Sequence, residues 1–133
     1  MDLFDTLKGI KILLIDDDEW IRDSLSLFFE FEPCVFQALE TAEQGLEELE
    51  TKDYDIIILD YRLPGMNGLE FLKRIQQTHG QVIKILITAY GSKELLSQAI
   101  KLGVHDFIDK PFSTKAIEDS LWRLAKEKVH RNR

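Results

Sequence analysis

An open α/β domain, with a five-stranded parallel sheet and helices on both faces, is the fold class this sequence predicts. Three observations carry that prediction. Five short apolar runs alternate along the chain with longer segments of helical periodicity. The first and third runs, Lys11–Ile15 and Asp55–Asp60, are apolar on successive residues, as strands covered on both faces must be. No repeat, low-complexity segment or linker interrupts the alternation. Right-handed crossovers then join the units into one domain over about residues 8–128.

The elements follow in order. Residues 1–7 are a lead-in, in which Leu3, Phe4 and Leu7 have the spacing of a short amphipathic turn that packs on the domain. Lys11–Ile15 is the first strand. Ile21, Leu25 and Phe28 then recur at i, i+4, i+7, and Pro33 ends that helix. Cys34–Ala38 is the second strand. Thr41 with Gln44 is a capping-box pair, opening a helix that buries Ala42, Leu46 and Leu49. Asp55–Asp60 is the third strand, and Asn67 with Glu70 opens a helix whose core side is Leu69, Leu72 and Ile75. Ile83–Ile87 is the fourth strand. Ser92 caps the next helix, and Gly103 follows its last apolar residue at the usual C-terminal stop. Asp106–Ile108 is the fifth strand, followed by a helix capped by Ser113 or Thr114 that buries Ile117, Leu121 and Leu124. Residues 129–133 are a tail or the start of a linker.

Composition narrows the function classes. At 133 residues, 44% hydrophobic and 31% charged, the chain has the make-up of one ordinary globular domain. Twenty-four acids against seventeen bases give −7, which argues against a nucleic-acid surface, since phosphate contacts need clustered Lys and Arg. Cys34 is the only cysteine, so an internal disulfide and a CxxC site are excluded. A reducing, cytoplasmic setting is the natural reading. The N-terminus carries no apolar run of signal-peptide length, and no segment approaches the roughly 18 apolar residues of a membrane span. The charge is uneven. Residues 16–32 hold seven acids and one base, residues 40–55 repeat that count, and residues 56–133 hold thirteen bases and eight acids. Solvated helix faces account for most of this pattern, but not for Asp16-Asp17-Asp18-Glu19 directly behind an apolar run.

Ligands of open α/β sheets bind beyond the carboxyl ends of the strands, so the strand-end residues are the candidates. The first strand ends in Asp16 and Asp17, the third in Asp60, the fourth in Thr88, and the fifth runs through Asp109 into Lys110-Pro111. Three carboxylates, a hydroxyl and an ammonium thus converge on one edge. Clustered carboxylates repel one another unless a cation joins them. A few carboxylates with waters and a phosphate suit Mg²⁺, with Mn²⁺ as a substitute. An EF-hand calcium loop fails on spacing, and GxGxxG and GxxxxGK[ST] are both missing. A carboxylate can also act as a nucleophile toward phosphorus, and Asp60, alone at the end of the central strand, is best placed.

Four blocks then stand out together: Ile15-Asp-Asp17; Ile58-Leu-Asp60 with Leu63-Pro-Gly-Met-Asn-Gly68; Ile87-Thr-Ala89; and Asp109-Lys-Pro-Phe112. In order and spacing the sequence resembles the response-regulator receiver domain, the phosphoacceptor module of two-component signalling typified by the chemotaxis regulator. The resemblance covers nearly the whole chain. It implies a flavodoxin-like doubly wound sheet with strand order 2-1-3-4-5. It implies that Asp60 is phosphorylated by a sensor histidine kinase or phosphotransfer protein, and that Asp16, Asp17, Asp60 and the main-chain carbonyl of Arg62 hold Mg²⁺. Lys110 would pair with the phosphoryl group and Thr88 would move toward it. Phe107, where the family often has tyrosine, would swing inward, and the Lys110-Pro111 bond would be cis. The changed surface would be that of the fourth helix, fifth strand and fifth helix. Leu95, Leu96, Ala99, Ile100 and Leu102 exceed one buried stripe there, and Trp122 lies off the stripe of the last helix. Both suit a partner face or a phosphorylation-dependent homodimer, or ordinary packing. An effector domain in a longer chain is the expected output.

Arg62 and Tyr90 flank the acceptor position, Tyr61 adds to the rim, and Trp20 either joins it or is a packing residue. A bulky Tyr90 should obstruct in-line attack by water, so Tyr90→Ala is expected to lose its phosphoryl group faster than wild type in a decay assay; equal lifetimes would contradict the shielding. Other classes fit less well. An aspartyl phosphatase of the haloacid-dehalogenase type wants a second Asp where Arg62 stands. A flavin carrier of the same fold wants a Ser/Thr/Gly loop where the acids stand. A degenerate receiver acting as a phosphorylation-independent binding module is the remaining alternative. His79, His105 and His130 have no metal-site spacing.

Overall fold

Each apolar run forms a strand: β1 (Lys11–Ile15), β2 (Val35–Leu39), β3 (Ile56–Asp60), β4 (Ile83–Thr88) and β5 (Asp106–Asp109). The structure is a computed structural model that describes residues 3–89 and 91–131, with side chains over 5–89 and 91–127. All pairings are parallel, in the order β2-β1-β3-β4-β5, so the expected doubly wound sheet is the one observed. Register matters most for the site. Ile15 lies opposite Leu59, Asp60 opposite Ile87, and Thr88 opposite Asp109, which brings the carboxyl ends of four strands to one edge.

Helices α1 (Leu3–Leu7), α2 (Glu19–Phe29), α3 (Ala42–Thr51), α4 (Gly68–Ile75), α5 (Lys93–Lys101) and α6 (Thr114–Arg131) cover the sheet. Successive strand side chains point to opposite faces, and two cores result. Ile12, Leu14, Ile56, Ile58, Ile85 and Ile87 meet Leu25 and Phe29 of α2 and Ile117, Leu121 and Leu124 of α6. Leu13, Ile15, Ile57, Leu59 and Leu86 meet Leu49 of α3, Phe71, Leu72 and Ile75 of α4, and Ala99 of α5. Full burial of each such side chain contributes about 2 kcal/mol.

Capping follows the sequence closely. The Thr41 hydroxyl accepts from Gln44 N–H while the Gln44 side chain accepts from Thr41 N–H, a complete capping box. Asn67, Ser92 and Ser113 accept from the backbone N–H groups of Glu70, Leu95 and Ala116. Some details differ from expectation. α2 stops at Phe29, short of Pro33, and buries Phe29 more fully than Phe28. Leu46 and Leu69 are only partly buried, while Gly45 and Phe71 fill the space nearest the sheet. The lead-in belongs to the fold: α1 packs on α6 and Leu7 is fully buried in the α2–α6 core.

Candidate functional site

The chain leaving β1 makes the first wall of the site. Asp16 is fully buried. Its N–H donates to Leu39 O at 3.0 Å, continuing the ladder one residue past the strand. Its Oδ1 accepts from Asp18 N–H at 2.9 Å, a turn that reverses the chain at once. Asp18 then caps α2, accepting from Trp20 N–H at 2.9 Å, and Arg22 reaches back to donate from Nη1 to the Asp16 carbonyl at 3.0 Å. Asp17 sits at the tip of this turn, exposed.

Asp60 ends β3 beside it, 4% exposed. Lys110 Nζ donates to Asp60 Oδ2 at 2.9 Å and lies 3.1 Å from Asp16 Oδ2. Lys110 Nζ donates to Asp16 through Oδ1 at 3.4 Å, its approach to Oδ2 being an ion pair only, so Asp16 Oδ2 is buried without a hydrogen bond. Burial pushes the Asp16 carboxyl up to about 6; the Asp18 N–H opposes the rise, the Asp60 charge adds to it, and Lys110 opposes it. Burial also works against the Lys110 ammonium. The hydrogen bonds and charges of Asp60 and Asp16 outweigh it and hold the lysine above its ordinary value.

This donor set fits a hard divalent cation. Asp16, Asp17 and Asp60 each offer one carboxylate oxygen, all within 4.8 Å of one another. Asp16 Oδ2, which accepts no hydrogen bond, is an oxygen of the kind that Mg²⁺ takes as a ligand.

The loop after Asp60 is held from three sides. Arg62 N–H approaches Asp60 Oδ1 at 3.3 Å, Gly68 N–H donates to Tyr61 O at 2.8 Å, and Met66 N–H donates to Glu43 of α3 at 3.3 Å. Gly65 takes φ +75°, and a Cβ on Gly68 would stand 2.9 Å from both Asp60 O and Tyr61 Cα. The Leu-Pro-Gly-Met-Asn-Gly run is thus what lets α4 start against the backbone of Asp60.

The remaining candidates fall at different depths. Thr88 is buried at the end of β4, and its carbonyl accepts from Lys110 N–H at 3.0 Å. Phe107 and Tyr61 are half-buried against the α3–α5 core. The Lys110-Pro111 peptide is cis. Trp20 is 79% exposed and, with Ile21, Ala89, Pro111 and Phe112, lines a cleft of about 510 Å³ beside Lys110. Arg62 is exposed, and Tyr90 lies outside the described residues.

Three features escaped the sequence reading. Arg22 carried a faint signal, as the one base among the acids of 16–32. Lys84, 2% exposed on β4 with burial depressing its ammonium pKa, was visible only as a charge inside an apolar run. Asp106 accepts from Ser120 Oγ at 2.6 Å and Arg123 Nη2 at 2.7 Å, tying β5 to α6 through residues whose spacing gave no sign of it.

Known proteins resemble this chain in sequence and fold. The sequence pattern of the family described as "Response regulator receiver domain" matches residues 12–121. The chain belongs to that family. Among curated relatives, the C4-dicarboxylate transport transcriptional regulatory protein DctD of Pseudomonas aeruginosa is 34% identical over 114 residues, covering 85% of this chain and 24% of that protein. The transcriptional regulatory protein FixJ of Bradyrhizobium diazoefficiens is 34% identical over 107 residues, covering 80% of this chain and 52% of that one. The chain therefore spans a quarter to a half of these relatives. Among solved structures, a CheY-like receiver domain from Methanospirillum hungatei superposes with a TM-score of 0.88 at 27% identity, over 93% of this chain and 99% of that one. The receiver fold and the two-component setting are thereby established. No helix among the described residues is long and apolar enough to cross a membrane.

Proposed function

We propose that this receiver is a phosphorylation-controlled switch whose acceptor is Asp60. The observation that carries the reading is the bridge of Lys110 between the buried carboxylates of Asp60 and Asp16, beside an Asp16 oxygen without a hydrogen-bond partner. Asp16, Asp17, Asp60 and the Arg62 carbonyl are the groups that would hold Mg²⁺, or Mn²⁺ in its place. The ion would supply positive charge to the phosphoryl oxygens during transfer.

The chain's own residues supply the rest. An Asp60 carboxylate oxygen attacks phosphorus as the bond to the donor breaks, and for a phosphohistidine donor the imidazole nitrogen leaves. Lys110, already 2.9 Å from Asp60, stays to balance the added negative charge. In-line attack by water reverses the modification, with Arg62 and Tyr61 at the rim. While the phosphoryl group is in place, the Thr88 hydroxyl turns toward it and Phe107 moves into the space behind, two packings of one element biased by one charge. The consequence is read on α5, β5 and α6, where Ile100 is 61% and Trp122 39% exposed. That face would bind a partner, an effector domain of a longer chain, or a phosphorylated second copy.

The phosphodonor would be a sensor histidine kinase or phosphotransfer protein. Its approach is supported by the apolar cleft beside Lys110 and by the exposed Trp20 and Leu27 of α2 with Phe31 just beyond it. Relatives named as transcriptional regulators support an output in gene control by a domain outside residues 1–133. The lone cysteine supports a cytoplasmic setting. Incubation with Mg²⁺ and a small-molecule phosphodonor tests the reading. One acid-labile phosphate is expected on wild type and none on Asp60→Asn. A phosphate retained in the variant, or formed after chelation of the metal, would contradict it.

A further inference from the structure

Asp17 poses a question of geometry. It is an exposed carboxylate at a turn, yet the cation site of the proposed function, on which this inference rests, needs it aimed at the same point as two buried ones. An exposed side chain on a mobile turn would lose conformational freedom each time an ion bound. The backbone around it is fixed from both directions instead. On one side Asp18 N–H is bonded to Asp16 Oδ1 at 2.9 Å, holding the peptide that follows Asp17. On the other, Arg22 Nη1 is bonded to the Asp16 carbonyl at 3.0 Å, holding the peptide that precedes it.

Arg22 is well placed for this. It is half-buried in the first turns of α2, its own N–H donates to Asp18 O at 3.0 Å, and Asp18 caps the same helix. Loop and helix therefore secure each other. We propose that Arg22 is a positioning residue for the divalent-cation site, acting through the peptide that sets the direction of Asp17.

The proposal has a sign that separates it from simple electrostatics. A guanidinium beside a cation site repels the cation, so its removal by charge alone should tighten binding. Positioning predicts the reverse. Magnesium affinity, measured by titration calorimetry with Mg²⁺ alone, is expected to fall about tenfold in Arg22→Gln. Arg22→Lys, which keeps the charge and one donor, should recover most of that loss. In an Asp17→Asn background the Arg22→Gln substitution should add little, because the group it aims is gone. Arg22→Gln binding Mg²⁺ as tightly as wild type, or more tightly, would overturn the proposal. So would the same loss with and without Asp17, since that marks general damage to the loop. Melting curves without cation confirm that each variant is folded, and Arg22→Met, of similar length and without a donor, carries the comparison should Arg22→Gln unfold. A wild-type protein that binds no Mg²⁺ would instead refute the cation site itself, before any Arg22 variant is compared.

Discussion

Burying a carboxylate opposes stability. Asp16 shows this most clearly, as a carboxylate fully buried with its pKa raised from 3.8 to about 6. An acid whose folded pKa lies above its unfolded one binds more protons when folded, so stability falls as pH rises between those two values and stays lower above them. Asp16→Asn is expected to remove that fall and to stabilise the cation-free protein at neutral pH by about 3 kcal/mol, while abolishing Mg²⁺ binding. Thermal melts across the acid range check both parts, and an unchanged pH profile would show that another group is responsible. Lys110 works in the other direction. Its raised pKa means that its contribution persists through neutral pH and is lost only as the pH rises through the lysine range. Acids, threonine and lysine were all legible as strand-end residues, because chain order places strand ends reliably once the strands are known. Arg22 was not, because a helix arginine reads as a solvated charge until its partner, a backbone carbonyl, is seen.

Elements fix how close these residues come. α4 begins at Gly68, whose absent Cβ lets the helix start against Asp60 O and Tyr61 Cα. Gly68→Ala is expected to cost about 1–3 kcal/mol by overpacking, read by urea denaturation, and to slow the proposed phosphorylation because the clash pushes on Asp60. A variant as stable and as fast as wild type would show that the loop yields without moving Asp60. Sequence periodicity found every strand and the five longer helices, since β-branched apolar runs and capping pairs are local signals. Side-by-side contacts were less legible. The tie from Asp106 to Ser120 and Arg123 joins residues fourteen and seventeen positions apart, and no pattern in either segment requires it. Lys84 illustrates the same limit. Strand position implies a buried side chain, while its charge implies an exposed one, and the structure resolves the conflict toward burial.

On the scale of the whole molecule, the sheet gathers the candidate site at one edge and carries cohesion along its body. The short helix α1 belongs to the second role. Leu7, fully buried between α2 and α6, makes the N-terminal segment part of the core. Leu7→Ala is expected to destabilise the protein by about 2–5 kcal/mol and leave Mg²⁺ affinity as in wild type; a parallel loss of affinity would show that the two ends of the sheet are coupled. The uneven charge also acquires a location. Acids collect where β1 ends because three carboxylates there face one another, and the bases of the second half include Lys110, which answers them. The central claim is that one of these carboxylates, Asp60, accepts the phosphoryl group, and borohydride trapping tests it most directly. Reduction of an aspartyl phosphate leaves homoserine, which peptide mass spectrometry can place. After incubation with Mg²⁺ and a small-molecule phosphodonor, homoserine is predicted at residue 60 and at neither 16 nor 17. Homoserine at one of those two, or an unaltered residue 60 in protein that carries phosphate, would contradict the account.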